Sequence, residues 1–118
     1  MSSHRAERVG EMLQQMLAEM IAREIKDPRV GFVTVTEVDV SPDLRQARVF
    51  VSCLGDDATR EACLDGLRHA APFLRRQIGR QARLKYAPEL RFETDRSAAQ
   101  GQRIETILRE LHDDDGQA

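Results

Sequence analysis

The stretch Phe32-Val33-Thr34-Val35-Thr36-Glu37-Val38-Asp39-Val40, the turn Ser41-Pro42-Asp43, and then Ala47-Arg48-Val49-Phe50-Val51-Ser52 read together as two strands and a hairpin. β-Branched residues dominate and apolar positions alternate, the period of a half-buried strand. The alternation slips from 33 and 35 to 38 and 40, which predicts a bulge near Thr36-Glu37. Pro42 is preset for the second position of a turn, so the two strands should pair antiparallel.

Upstream of the hairpin, Val9, Met12, Leu13, Met16, Leu17, Met20, Ile21 and Ile25 recur at the spacing of one helix face. Ser2 or Ser3 can cap that helix, and Asp27-Pro28 should end it, because the residue before proline avoids helical geometry. Its methionines read as gap-filling core packing. Downstream, Asp56 or Asp57 can cap a second helix, whose apolar stripe runs through Cys63, Leu64, Leu67, Ala70 and Ala71. The stripe continues through Leu74, Ile78 and Ala82 beyond Pro72, which cannot donate to the carbonyl of Arg68. A kink at Ala70-Ala71-Pro72 and a further helix to about Leu84 are therefore expected. Ala87-Pro88 ends it, and Leu90-Arg91-Phe92-Glu93-Thr94-Asp95 alternates as a third strand. A last amphipathic helix carries Ile104, Ile107, Leu108 and Leu111, ahead of an acidic, disordered tail over 112–118. The expected architecture is α+β: a single domain over 4–111, in the order helix, strand, strand, helix, kink, helix, strand, helix.

The 118 residues suit one domain, and 41% hydrophobic content with four prolines and seven glycines fits a globular chain. No apolar run reaches the length of a membrane span, and nothing at the N-terminus resembles a secretory core. Cys53 and Cys63 form neither a disulfide framework nor a metal-ligand pattern. These features predict a reduced, cytoplasmic protein without a metal or other cofactor.

The net charge of −2 conceals a strong asymmetry. Arg68, Arg75, Arg76, Arg80, Arg83, Lys85 and Arg91 face only Glu89 between residues 68 and 91, so this stretch carries +6 and the rest of the chain −8. Residues 66–88 contain no acid at all. At about 100° per residue, Arg76, Arg80 and Arg83 fall on one helix face, opposite Leu74, Ile78 and Ala82. A merely solvated helix would intersperse acids, whereas arginine's planar fork suits phosphate. Phosphate binding is thus favoured, with Arg5 and Arg8 at the N-terminus able to join the surface. Phe32, Phe50 and Phe92 read as core, so binding should follow backbone and shape rather than a stacking platform.

Catalytic patterns are missing: there is no phosphate-cradling glycine loop or dinucleotide fingerprint, and His4, His69 and His112 are far apart in sequence. Cys53 and Cys63 read as small buried hydrophobes, and Ser41 with Asp43 as turn chemistry. Two alternatives to nucleic-acid binding remain: a module for an acidic protein partner, and more remotely an enzyme using Cys63 or His69.

The chain resembles the ribosome-binding factor A family from about Arg5 to Leu111. The resemblance rests on Glu24-Ile25-Lys26-Asp27-Pro28-Arg29, Val38-x-Val40-Ser41-x-Asp43-Leu44, Ala47-x-Val49-x-Val51, Phe73-Leu74-Arg75 and Pro88-Glu89-Leu90-x-Phe92-x-x-Asp95, in this order. It implies a type II KH-like fold in which a helix-kink-helix replaces the usual GxxG loop. Members usually have a small residue, any residue and glycine at the kink, where this chain has Ala70-Ala71-Pro72. A monomer is expected because the helix stripes can all be spent on one sheet, and the resemblance further implies a factor, not itself a nuclease, that binds 16S rRNA on the free 30S subunit near the decoding-region helices. It implies support for late rRNA maturation, 5′-end processing and growth in the cold, alongside 30S-assembly GTPases.

Overall fold

The computed structural model describes residues 4–95, and the order of its elements is α1 His4–Glu24, β1 Val33–Val40, β2 Gln46–Cys53, α2 Asp57–Gln81 and β3 Glu89–Thr94. It is an α+β fold of two helices and one three-stranded sheet. The helix expected over 104–111 and the tail at 112–118 lie outside the described residues, as do Ser2 and Ser3.

β2 is the central strand, antiparallel to β1 and parallel to β3. A parallel neighbour cannot be reached by a tight turn, so α2 serves as the crossover between β2 and β3. The hairpin register pairs Val35 with Val51 and Glu37 with Phe50, leaving Thr36 as the extra residue. This is the expected bulge. The side-chain amide of Gln14 donates to the carbonyls of Val35 and Thr36, at 3.2 Å each, so α1 is tied to the irregular backbone. In the turn, Ser41 Oγ donates to Asp43 Oδ1 at 2.6 Å, while the Arg45 N–H donates to the same Asp43 oxygen at 3.0 Å. Those two side chains therefore close the turn, as expected.

Both helices pack on one face of the sheet. The core joins Val9, Leu13, Leu17, Met20 and Ile21 of α1 with Cys63, Leu64, Leu67, Leu74 and Ile78 of α2. From beneath, Val35, Val40, Ala47, Val49, Val51, Leu90 and Phe92 complete it. Met12 and Met16 are half-buried against this core, in line with a packing role. α1 crosses close to β1 at Gly10, where a Cβ would lie 2.6 Å from the carbonyl oxygen of Val38. Only glycine permits that approach.

Three expectations are corrected. α1 ends at Glu24, before the Asp27-Pro28 dipeptide. The cause is local: the Val30 N–H donates to the Asp27 carbonyl at 2.9 Å and the Arg29 N–H to Asp27 Oδ1 at 2.9 Å, a turn that competes with helix. Second, α2 is a single 25-residue helix that continues through Pro72 and stops at Gln81, rather than two helices reaching Leu84. Pro72 and Arg68 both lie on the exposed side of α2, away from the core that the helix covers. Leu67, Leu74 and Ile78, each 0% exposed, hold the two halves on the same sheet. Third, Phe32 is 74% exposed, whereas Phe50 and Phe92 are buried as expected. Phe32 immediately precedes the edge strand β1, beyond the sheet area that the helices cover.

The α1–β1 loop is closed by charge. Arg29 Nη2 lies 2.7 Å and Nε 3.1 Å from the two oxygens of the Asp27 carboxylate. This pairing holds the Asp27 pKa down at about 2. The loop seats against α2 at Gly66, whose Cβ would fall 2.7 Å from Val30 Cγ2.

Two measurements test these features. Replacing Ile78 with Ala should cost about 2–5 kcal/mol of stability in chemical denaturation; a loss below about 1 kcal/mol would contradict its place in the core. For Asp27, the unfolded-chain pKa is about 3.9, so the pairing stabilises the fold fully above that value and is lost as pH falls towards about 2. The denaturation midpoints of wild type and Asp27→Asn should differ at neutral pH and converge by pH of about 2. A gap independent of pH would refute the pairing.

Candidate nucleic-acid interface

α2 has two unlike faces. Leu67, Leu74 and Ile78 are buried, while Arg68, Pro72, Arg76 and Arg80 form an exposed row at four-residue spacing. Each step of four advances about 6 Å and turns about 40°, so this row is a slowly winding ridge about 18 Å long. Ala70 and Ala71 are half-buried beside it. No carboxylate pairs with Arg76 or Arg80 among the described residues.

The other expected cations divide. Arg68 is the most compromised: Nη1 lies 3.5 Å from Asp65 and 3.8 Å from Glu61, and Nη2 donates to the Phe92 carbonyl at 3.4 Å. The acid-free window began too late to register those two acids, which sit one and two turns earlier on the same helix. Arg75 donates from Nε to the Ala87 carbonyl at 3.0 Å, which ties it to the segment after α2. Arg83 and Lys85 are exposed but lie beyond the helix end, because the extended backbone of Ala82 caps α2. Helical angle arithmetic therefore does not place Arg83. Arg91 points away from the helices, since its neighbours Leu90 and Phe92 face the core. Arg5 and Arg8 are exposed on α1, the helix that packs over β1 at the opposite edge of the sheet from β3.

The structure adds a residue that the sequence did not single out. Arg45, in the β1–β2 turn, accepts a backbone hydrogen bond from the Glu89 N–H at 2.8 Å. It lines a cavity of about 540 Å³ with Gln46, Arg75, Tyr86, Ala87 and Glu89. A second cavity of about 510 Å³ includes Arg68, Ala71, Pro72, Arg76 and Leu90 and shares Arg75 and Glu89 with the first. The two make one groove between α2 and the start of β3, continuing to the hairpin turn. Arg45 enters because β3 runs parallel to β2, which brings the start of β3 beside the start of β2. Nothing local in the sequence around Arg45 announces this.

The residues weighed for catalysis are not assembled. Cys63 is buried, and its sulfur lies 3.0 Å from that of Cys53. Burial and this contact push the Cys53 thiol up to about 12, the opposite of an activated nucleophile. His69 is exposed on α2. Among the described residues, no three His, Cys, Asp or Glu side chains converge as metal ligands, and no helix is long and apolar enough to cross a membrane.

Comparison with known proteins agrees with this architecture. The crystal structure of ribosome-binding factor A from Thermus thermophilus superposes with a TM-score of 0.67 at 28% identity, covering 75% of this chain and 94% of that one. The solution structure of a Thermotoga maritima protein assigned as a ribosome binding factor A gives a TM-score of 0.63 at 32% identity, covering 80% and 93%. The Thermus thermophilus factor as fitted into the cryo-EM map of a 30S complex gives 0.62 at 30% identity, covering 74% and 91%. The family model of ribosome-binding factor A matches residues 5–108. With nearly its whole length matched and its sheet and helices shared with those structures, the chain belongs to the ribosome-binding factor A family.

Proposed function

We propose that this chain is a non-catalytic assembly factor that binds the 30S subunit through 16S rRNA. The observation that carries this reading is the exposed Arg76–Arg80 ridge, which makes no ion pair with a carboxylate among the described residues, on a fold whose Thermus thermophilus counterpart is fitted into a 30S complex. Arg76 and Arg80 contact phosphates directly. Arg75 and Arg68 add positive potential at the groove wall, and Arg83 and Lys85 extend it past the helix. Arg5 and Arg8 form a separate, weaker contact on α1. The order helix, strand, strand, helix, strand supports a type II KH-like reading, with the Ala70-Ala71-Pro72 segment of α2 in the place of a glycine loop.

The mechanism is a population shift. Binding one conformation of immature rRNA better than another moves their ratio by the difference in binding free energy, with no chemical step. Late folding and 5′-end processing are promoted because the favoured conformer is the one processed. The protein works as a cytoplasmic monomer, since the apolar faces of both helices are already buried on its own sheet.

Two experiments test the reading. The full chain should co-sediment with free 30S subunits in preference to 70S ribosomes; equal recovery with both, or capture that survives ribonuclease, would overturn it. Affinity for rRNA should fall with log salt by about 0.7 to 0.9 log units per phosphate contact, and Arg76→Ala and Arg80→Ala should each lower that slope by about one. Slopes unchanged in both variants would reject the ridge.

A further inference from the structure

Tyr86 stands apart from the other aromatic residues near the groove. The residue is 54% exposed, on the segment between α2 and β3. Two cations lie over the ring, the Arg45 guanidinium and the Lys85 ammonium, each 5.6 Å from its centroid, so a base that stacks there moves at least one of them aside toward a neighbouring phosphate. They come from different parts of the fold, Arg45 from the hairpin turn and Lys85 from the segment after α2. The ring also borders the cavity of about 540 Å³ that Arg75 and Glu89 line. An exposed aromatic ring presents a surface on which any base can stack, and flanking cations supply partners for the phosphates on either side of it. Three cations against the single Glu89 carboxylate favour a polyanion over a neutral small molecule.

We propose that Tyr86 is a stacking site for one unpaired nucleotide of the RNA strand, with Arg45 and Lys85 holding its flanking phosphates. This rests on the RNA-binding reading above and adds to it the form of the RNA: the ridge of α2 follows the backbone, while Tyr86 takes a single base turned out of any helix. Double-stranded RNA buries its base faces and cannot supply that contact. The site is one ring in a loop, unlike the paired aromatics of a sheet platform.

The chain contains one tyrosine and no tryptophan, so its intrinsic emission reports on Tyr86 alone. The full chain is titrated with a short single-stranded RNA of mixed sequence, with the same RNA annealed to its complement, and with inorganic polyphosphate. The single strand should quench the emission at saturation, whereas the duplex and polyphosphate should bind the cations and leave most of the emission intact. In parallel, anisotropy of the labelled single strand measures affinity for variants. Tyr86→Ala should bind about 5- to 150-fold more weakly, and Tyr86→Phe, which keeps the ring, should match the parent. The exposed position of Tyr86 lets Tyr86→Ala fold, and its melting temperature verifies this.

If the strand binds and Arg76→Ala weakens it, but Tyr86→Ala binds as tightly as the parent, the stacking proposal is overturned and the ridge stands. Quenching by polyphosphate equal to that by the single strand would also overturn it, because displaced cations rather than a base would then explain the signal. If no RNA binds the parent chain, the RNA-binding reading fails and takes the stacking site with it.

Discussion

The burial of Leu67, Leu74 and Ile78 beneath α2 is the constraint on which the rest of the molecule depends. A helix that connects two parallel strands must return across the sheet face, and its apolar stripe decides which side lies down. With that stripe under the helix, Arg68, Arg76 and Arg80 have only the solvent side available. The same burial draws Leu90 and Phe92 of β3 inward, which turns Arg91 outward on the other face. One hydrophobic contact thus sorts a run of cations into a ridge and an outlier. It also explains how the chain accommodates Pro72 within a helix: Pro72 and Arg68 lie on the wet side, while both flanking turns are anchored on the dry side.

Electrostatics follow from this packing. Charge counted along the sequence treats all cations between 68 and 91 alike, yet their surroundings differ. Arg68 is shared with Glu61 and Asp65, Arg75 is tied to a carbonyl, and Arg76 and Arg80 have no carboxylate partner among the described residues. A cation already paired gains less from a phosphate, because it must exchange one anion for another. The available positive potential is therefore concentrated in the middle and the C-terminal half of α2, and along the groove that leads to Arg45 and Tyr86.

The same elements separate what could be read from the chain from what could not. Period-two and period-3.6 patterns reported both helices and all three strands, and the slip in β1 located its bulge. Such patterns report only short-range geometry and which side is dry. Errors arose where a local rule met a competitor. Pro72 marks a break by local rules, but burial on both sides of it kept one helix. Phe32 is a core residue by composition, but it falls just outside the covered part of the sheet. Asp27 and Arg29 ended α1 early through a turn whose hydrogen bonds involve only four residues, a signal present in the sequence but outweighed there by the proline rule.

By itself, the sequence determined the α+β class, the buried stripe of each helix, the turn chemistry of Ser41 and Asp43, and a cationic segment on an otherwise acidic chain. All of these depend on neighbours within about one turn or one strand pair. Tertiary structure alone decided the parallel pairing of β3 with β2, the contact of Arg68 with the Phe92 carbonyl, and the meeting of Arg45 with Arg75 and Tyr86 in one groove. Those residues are separated by up to 41 positions, and what joins them is the strand order, which arises from packing the whole core at once.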